Sequence, residues 1–76
     1  MSLENTIAEV LRHHRKQKGL SQEQLALLSG LDRSYISLIE RGKRQPTLNT
    51  IFQISKALEV SPSKLVQEIE QRNENT

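Results

Sequence analysis

The side chains best suited to specific chemistry lie in one short segment, LDRSYISLIERG, residues 31–42. On a helical wheel at about 100° per residue, one face of this segment carries hydroxyls, guanidinium groups and a leucine. These residues are Arg33, Ser34, Ser37, Leu38 and Arg41. Short serines would let the helix approach closely into a DNA major groove, where arginine can donate to guanine O6 and N7. The alternative is an ordinary surface helix with a solvated outer face, and the segment alone does not decide between them.

The opposite side of the segment contains residues that would anchor the helix in the protein. The residues opposite the polar face are Tyr35, Ile36, Ile39 and Glu40. The two isoleucines are suited to a buried core. Asp32 precedes the first turn as a predicted N-cap, and Gly42 ends the helix.

The charge of the chain is unevenly distributed. Residues 12–46 hold eight of the eleven Lys and Arg residues but three of the nine acids, a net charge of +5 against +2 for the whole chain. Such a cluster favours a polyanionic partner, although it is also typical of a solvated face.

Other chemistries find little support in the sequence. In the segment HHRK, residues 13–16, adjacent histidines would point about 100° apart on a helix, and no Cys or carboxylate cluster completes a metal site. Since no phosphate loop, nucleophile elbow or carboxylate pair appears, we expect no enzyme activity, cofactor or small-molecule ligand. The absence of Cys and of any long apolar run predicts a soluble cytoplasmic protein without a membrane segment.

Apolar residues recur at helical spacing along the chain, and no stretch alternates like a half-buried strand. The sequence therefore predicts an all-α fold, a compact bundle of five short helices. Ser21 and Gln24 can form a capping box, and Ser61 with Pro62 can begin the last helix. The predicted helices run from Leu3 to Lys18, from Ser21 to just before Gly30, from Asp32 to Gly42, from Thr47 onward, and from Pro62 to about Arg72.

Apolar stripes on three of these helices predict the core. The stripes consist of Leu3, Ile7, Val10, Leu11 and His14; of Leu48, Ile51, Phe52, Ile54, Ser55 and Leu58; and of Leu65, Val66 and Ile69. Helices two and three are joined only by GLD, so they should cross steeply as a central helix-turn-helix over about residues 21–42. Residues 1–72 would form one domain, and residues 73–76 a frayed polar tail.

The stretch LSQEQLALLSGLDRSYISLIERGKRQPTLNTIFQISKAL, residues 20–58, resembles the lambda-repressor-like, Cro/C1-type (XRE) helix-turn-helix family. The matching elements are LSQEQLA, Gly30, YIS, IERGKR with Pro46, and ALEVSP. The recognition segment is especially similar to the controller proteins of restriction–modification systems. The resemblance implies sequence-specific binding of double-stranded DNA by a small transcriptional regulator of bacterial or phage type, associated with the nucleoid when bound.

The resemblance also implies roles for particular residues. The residues expected to face base edges are Arg33, Ser34, Ser37 and Leu38. The residues expected to contact the DNA backbone are Ser21, Gln22, Tyr35, Arg41, Lys43, Arg44 and Gln45. Tyr35 is ambiguous, because the wheel turns it toward the packed side.

Two structural roles follow from the same resemblance. The family pairs the positions of Arg15 and Glu40, which predicts a partly buried salt bridge between helices one and three. His14 stands where the family usually has an apolar residue, which implies a partly buried imidazole rather than a metal ligand.

One DNA-binding module of this size contacts few base pairs, so we expect a homodimer on a palindromic site. The family resemblance implies that the dimer contact lies near helices four and five. Leu27 and Leu28 depart from the polar residues common in the family. We expect one of them to pack at the core edge and the other to be exposed. They also leave open a different class of function, a protein-interaction module such as an antitoxin or adaptor.

Overall fold

The computed structural model describes residues 2–74, and it folds them into five α-helices joined by short turns. The predicted all-α fold is therefore confirmed. The helices are α1 (Leu3–Gln17), α2 (Gln22–Ser29), α3 (Arg33–Glu40), α4 (Leu48–Leu58) and α5 (Pro62–Glu74). Helix α3 ends two residues before Gly42, and α5 continues two residues beyond Arg72. The remainder of the predicted tail, residues 75–76, lies outside the described residues.

Side-chain hydroxyls begin four of the helices. Ser2, Ser21, Thr47 and Ser61 each accept a hydrogen bond from the backbone N–H three residues later, at 3.0–3.2 Å. The Gln24 side chain completes the predicted capping box by accepting from the backbone N–H of Ser21 at 2.8 Å. Each cap satisfies N–H groups that a helix leaves without an internal partner.

Helix α3 is the exception among the helix starts. Asp32 occupies its N-cap position in extended conformation, but its side chain makes no capping hydrogen bond. The predicted N-cap position of Asp32 is therefore confirmed, but the side-chain hydrogen bond expected of an N-cap aspartate is absent. The helix is held instead at its other end, where Arg12 and Arg15 of α1 donate to Glu40, and along its buried side, where it packs on α1 and α2.

Two glycines allow the chain to turn on either side of α3. Gly30 adopts φ +74°, and the following Leu31 N–H returns to the carbonyl of Ala26 at 3.0 Å. Gly42 adopts φ +70°, and a side chain there would collide with Asn5 at the start of α1. Left-handed backbone of this kind is unfavourable for residues with a Cβ.

The helices close around one core. Helix α1 packs on α3 and α5, α2 packs on α3 and α4, and α4 packs on α5. Four partly buried apolar residues and Tyr35 pack against the edge of this core. The buried apolar residues are Ile7, Val10, Leu11, Leu25, Ala26, Ile36, Ile39, Ile51, Ile54, Leu58, Leu65 and Ile69.

Several predicted core residues lie on the surface. Leu48 and Phe52 of α4 are 69% and 56% exposed, and Val66 of α5 is 47% exposed. Leu27 and Leu28 are both exposed, so the prediction that one of them packs at the core edge is wrong. Leu48, Phe52 and Val66 lie at the edges of apolar stripes on their helices. The neighbouring helices do not cover the full width of these stripes, so the residues at the edges stay exposed to water.

Polar side-chain contacts join α1 to the C-terminal half of the chain. His14 Nε2 lies 2.5 Å from Glu68 Oε2, and Arg72 donates to Glu9 at 3.0 Å. The His14 side chain is mostly buried, at 16% exposure. Across residues 2–74, no group of three or more His, Cys, Asp or Glu residues is arranged to hold a metal ion. None of the helices in this range is long and apolar enough to cross a membrane.

Candidate nucleic-acid interface

Helix α3 presents one fixed face to solvent. Ile36 and Ile39 are each 1% exposed, so they set the rotation of the helix about its axis. Arg33 and Ser34 are consequently exposed, and Ser37 and Leu38 are half-buried beside them. The four residues expected to reach base edges thus share one face of α3, and their contact with bases stays a prediction.

Basic side chains flank this face where α3 ends and the next loop begins. Arg41, Lys43, Arg44 and Gln45 are all exposed. Arg41 Nε donates to the Ser37 carbonyl at a long 3.4 Å. Neither these three cations nor Arg33 forms an ion pair with any acid of residues 2–74. Their charge is not neutralised locally, so the surface around α3 is suited to attract a polyanion.

Tyr35 lies on the packed side of α3, as the wheel indicates. Its ring is half-buried against the core, and its hydroxyl lies 3.1 Å from Thr50 Oγ1 of α4. The Arg44 guanidinium stands over the ring, with its central carbon 5.5 Å from the ring centroid, within cation–π range. Tyr35 therefore links α3, the basic loop and α4, and its predicted contact with the DNA backbone is untested.

A buried ion pair joins α1 to the end of α3. Arg15 donates to both carboxylate oxygens of Glu40, from Nε at 2.7 Å and from a terminal nitrogen at 2.9 Å. The side chains are 11% and 3% exposed, and Arg15 also donates to the Leu20 carbonyl at 2.7 Å. The structure thus contains the salt bridge that the resemblance implied. Bidentate geometry and a further acceptor satisfy groups that would otherwise be costly to bury.

The sequence model of the Helix-turn-helix family matches residues 11–65 of this chain, which include all of α2, α3 and α4. This chain belongs to the Cro/C1-type (XRE) helix-turn-helix family. Helices α2 and α3 form its helix-turn-helix, and α3 occupies the position of the recognition helix.

Relatives of this helix-turn-helix protein include restriction–modification controllers. Control protein C.SmaI of Serratia marcescens is 46% identical over 66 residues, which are 87% of this chain and 79% of that protein. The controller C.AhdI of Aeromonas hydrophila has a solved structure similar to this one, with a TM-score of 0.79, 47% identity, and coverage of 82% of this chain and 94% of that one. The structure of C.Esp1396I bound to a 19 base pair DNA duplex matches with a TM-score of 0.84 and 38% identity, covering 93% of this chain and 95% of that one.

The remaining two residues predicted to contact the DNA backbone lie at the start of α2. Ser21 is exposed, but its hydroxyl already accepts from the Gln24 N–H. Gln22 is half-buried and donates from Nε2 to Glu40 Oε1 at 3.1 Å. An amide nitrogen has two N–H groups, so one donor of Gln22 can still reach a phosphate while the other is held by Glu40.

Sequence reasoning missed two polar side chains that hold the helix-turn-helix in place. Arg12 donates to the backbone carbonyl of Glu40 at 2.9 Å, at the C-terminal end of α3. Gln53 of α4 donates to the carbonyl of Ser29 at 3.2 Å, at the end of α2. Arg12 precedes Arg15 by three residues, so both lie on one face of α1, and that spacing was the available signal. The sequence carries no comparable signal for Gln53.

Proposed function

We propose that this protein is a transcriptional regulator that binds double-stranded DNA sequence-specifically, of the restriction–modification controller kind. The observation that carries the proposal is the fixed outer face of α3, where Arg33 and Ser34 are exposed beside cations that form no ion pair within residues 2–74. The similar protein C.Esp1396I is bound to a DNA duplex in its solved structure, which supports DNA binding by this fold.

The proposed contacts divide into two groups. Arg33 is assigned to base readout with Ser34, Ser37 and Leu38, because arginine and small hydroxyls can pair with base edges in the major groove. The residues assigned to direct contact with the DNA backbone are Ser21, Gln22, Arg41, Lys43, Arg44 and Gln45. Tyr35 is assigned to the same surface through its contact with Arg44. Backbone contacts set register and supply most of the salt-dependent affinity, whereas base contacts select the sequence.

We assign the dimer contact to the C-terminal helices. Phe52 of α4 and Val66 of α5 line one cleft with Pro62 and are substantially exposed, and Leu48 lies one turn before Phe52. Covering these side chains with a second copy would remove apolar surface from water, which stabilises association. Two recognition helices could then read half-sites about one helical turn, or ~34 Å, apart.

Two exposed apolar residues give a matched test of this dimer. Phe52→Glu should convert the protein to a monomer in sedimentation experiments, because the charge would have to be buried. Leu27→Glu should leave the dimer intact, because Leu27 is also exposed, at 80%, but lies on α2 and does not line the cleft of Phe52 and Val66. A wild-type protein that sediments as a monomer with and without DNA would contradict the assignment, as would dimer loss in the Leu27→Glu variant alone.

Selection of bound sites from a random duplex library tests the proposed function. We expect enrichment of one palindromic site and steep loss of affinity with added salt. Failure to enrich any sequence, together with binding that does not respond to salt, would contradict the proposal.

The alternative of a protein-interaction module is not favoured, because the relatives include transcription regulators and control proteins. The exposed Leu27 and Leu28 are the feature that such a module would use. Heparin chromatography separates the two functions, since a module without a phosphate-binding surface should elute at low salt. Our proposal includes no catalysis, cofactor or small-molecule ligand, and it places the regulator in the cytoplasm, on nucleoid DNA when bound.

A further inference from the structure

A chain of polar contacts lies behind the exposed Arg44 guanidinium. The Tyr35 hydroxyl lies 3.1 Å from Thr50 Oγ1, which in turn lies 3.0 Å from Thr47 Oγ1. Thr47 also accepts from the Thr50 backbone N–H at 3.1 Å, so both threonines are fixed by the first turn of α4. Thr50 is only 5% exposed. Its hydroxyl is therefore restricted to partners within the protein, and the Tyr35 hydroxyl is one of them.

Arg44 itself has little else to hold it. It lies in the loop between α3 and α4, is exposed, and forms neither a hydrogen bond nor an ion pair within residues 2–74. Its contact with the Tyr35 ring, at 5.5 Å, is what restricts it. A cation–π contact is not a hydrogen bond to an acceptor, so guanidinium N–H groups that point away from the ring stay available for a phosphate.

We propose that Tyr35 and Thr50 are positioning residues that act on DNA affinity through Arg44. The buried Thr50 hydroxyl fixes the Tyr35 ring, and the fixed ring holds the Arg44 guanidinium ready for a phosphate. Ordering a free arginine upon binding would otherwise reduce affinity by a factor of about 2 to 10. This inference rests on the proposed DNA-binding function, and it assigns Thr50 a role although its side chain is buried away from the DNA face.

A direct role for the Tyr35 hydroxyl in binding a phosphate is the competing explanation. In that case the hydroxyl would donate to the phosphate while accepting from Thr50 Oγ1, and its loss should matter whether or not Arg44 is present. The positioning role predicts the opposite, since Tyr35 and Thr50 then have no effect once Arg44 is gone. A double-mutant cycle separates these two possibilities.

The test measures the affinity of the full chain for a random-sequence duplex at several salt concentrations, which requires no knowledge of the operator. Tyr35→Phe keeps the ring and removes its hydroxyl, and Thr50→Val removes the partner hydroxyl at nearly constant shape. We expect each to weaken binding about 2- to 10-fold. The slope of log affinity against log salt should stay unchanged, because no phosphate contact is lost. Thr50→Ser should restore wild-type affinity.

The same substitutions in an Arg44→Ala background distinguish the positioning role from direct phosphate binding by the Tyr35 hydroxyl. We expect Arg44→Ala to flatten the salt slope by about one, and neither Tyr35→Phe nor Thr50→Val to weaken binding further. Persistent loss in that background, or unchanged affinity of both single variants, would overturn the inference. Urea unfolding of each variant shows whether it is folded, and Tyr35→Phe and Thr50→Ser keep the test decisive if Thr50→Val does not fold. Absence of salt-dependent duplex binding by the wild type would instead refute the proposed function itself.

Discussion

Charged side chains serve two opposite purposes in two neighbouring regions of this molecule. The inner joint, formed by Arg12, Arg15 and Glu40, is buried or half-buried, and both arginines donate to Glu40. The outer cations, Arg33, Arg41, Lys43 and Arg44, are exposed and form no ion pair within residues 2–74. Arginine is common to both regions, so burial and available partners, rather than residue type, decide what each side chain does.

The difference between these regions separates folding from binding. A buried charge that loses its partner is costly, so changes in the inner joint should act mainly on the free energy of unfolding. An exposed cation contributes little to folding but can replace a counterion on DNA, so changes among the outer cations should act mainly on affinity.

Glu40→Ala should have the largest effect, a loss of about 3–5 kcal/mol in the free energy of unfolding, because it leaves Arg15 buried without its counter-charge. Urea unfolding measures this loss. Glu23→Ala, which removes an exposed acid from α2, should cost no more than about 1 kcal/mol. If the two substitutions lowered the free energy of unfolding by similar amounts, burial would not decide how much a charged residue contributes to folding.

Arg12→Ala should cost about 1–2 kcal/mol in the free energy of unfolding, because it removes a charged donor from the C-terminal end of α3. Lys16→Ala is the matched control on the same helix, since Lys16 is exposed and unpaired within the described residues. Its unfolding midpoint should match that of the wild type. Equal stabilities of the two variants would show that the contact of Arg12 with α3 contributes nothing.

Lys43→Ala should change the free energy of unfolding by less than about 0.5 kcal/mol while weakening binding to every duplex alike. The slope of log affinity against log salt should flatten by about one. Lys64→Ala removes the same charge from α5, which packs on α1 and α4, and should leave the slope unaltered. A sequence-dependent loss in Lys43→Ala would reassign Lys43 to base readout.

Lys18→Gln should have the smallest effect on stability, because Lys18 and Glu59 form an exposed pair. The hydrogen bond from Lys18 and then its charge lower the pKa of Glu59, so the pair persists above the ordinary carboxyl range and is lost as pH falls through that lowered pKa. In the variant, an NMR titration of the Glu59 carboxyl should show its pKa rising toward the ordinary value, with the urea midpoint unchanged. An unmoved pKa would show that the pair does not persist in solution.

The helices and their caps could be predicted largely from local sequence signals. Ser21 with Gln24, Thr47 and Ser61 with Pro62 each mark a helix start that the structure contains, because capping depends on residues within one turn. Asp32 carried the same signal, but its side chain makes no cap.

Features that depend on how helices meet could not be predicted in the same way. Phe52 and Val66 continue apolar stripes but are exposed, and periodicity cannot distinguish a core position from an exposed apolar position beside it. The contacts of Gln53 with Ser29 and of Thr50 with Tyr35 join residues far apart in sequence. Arg15 and Glu40 were paired through the family resemblance, since spacing alone does not indicate which acid an arginine on another helix will reach.

The most direct test of the central claim compares Arg33→Ala with the wild type on the selected operator and on a random duplex. Arg33 is exposed on the fixed face of α3, so its removal should leave unfolding unchanged. We expect a loss of about 1–3 kcal/mol on the operator, relaxed preference at one base position, and a much smaller loss on the random duplex. Equal losses on the two duplexes would contradict the assignment of this face to base readout.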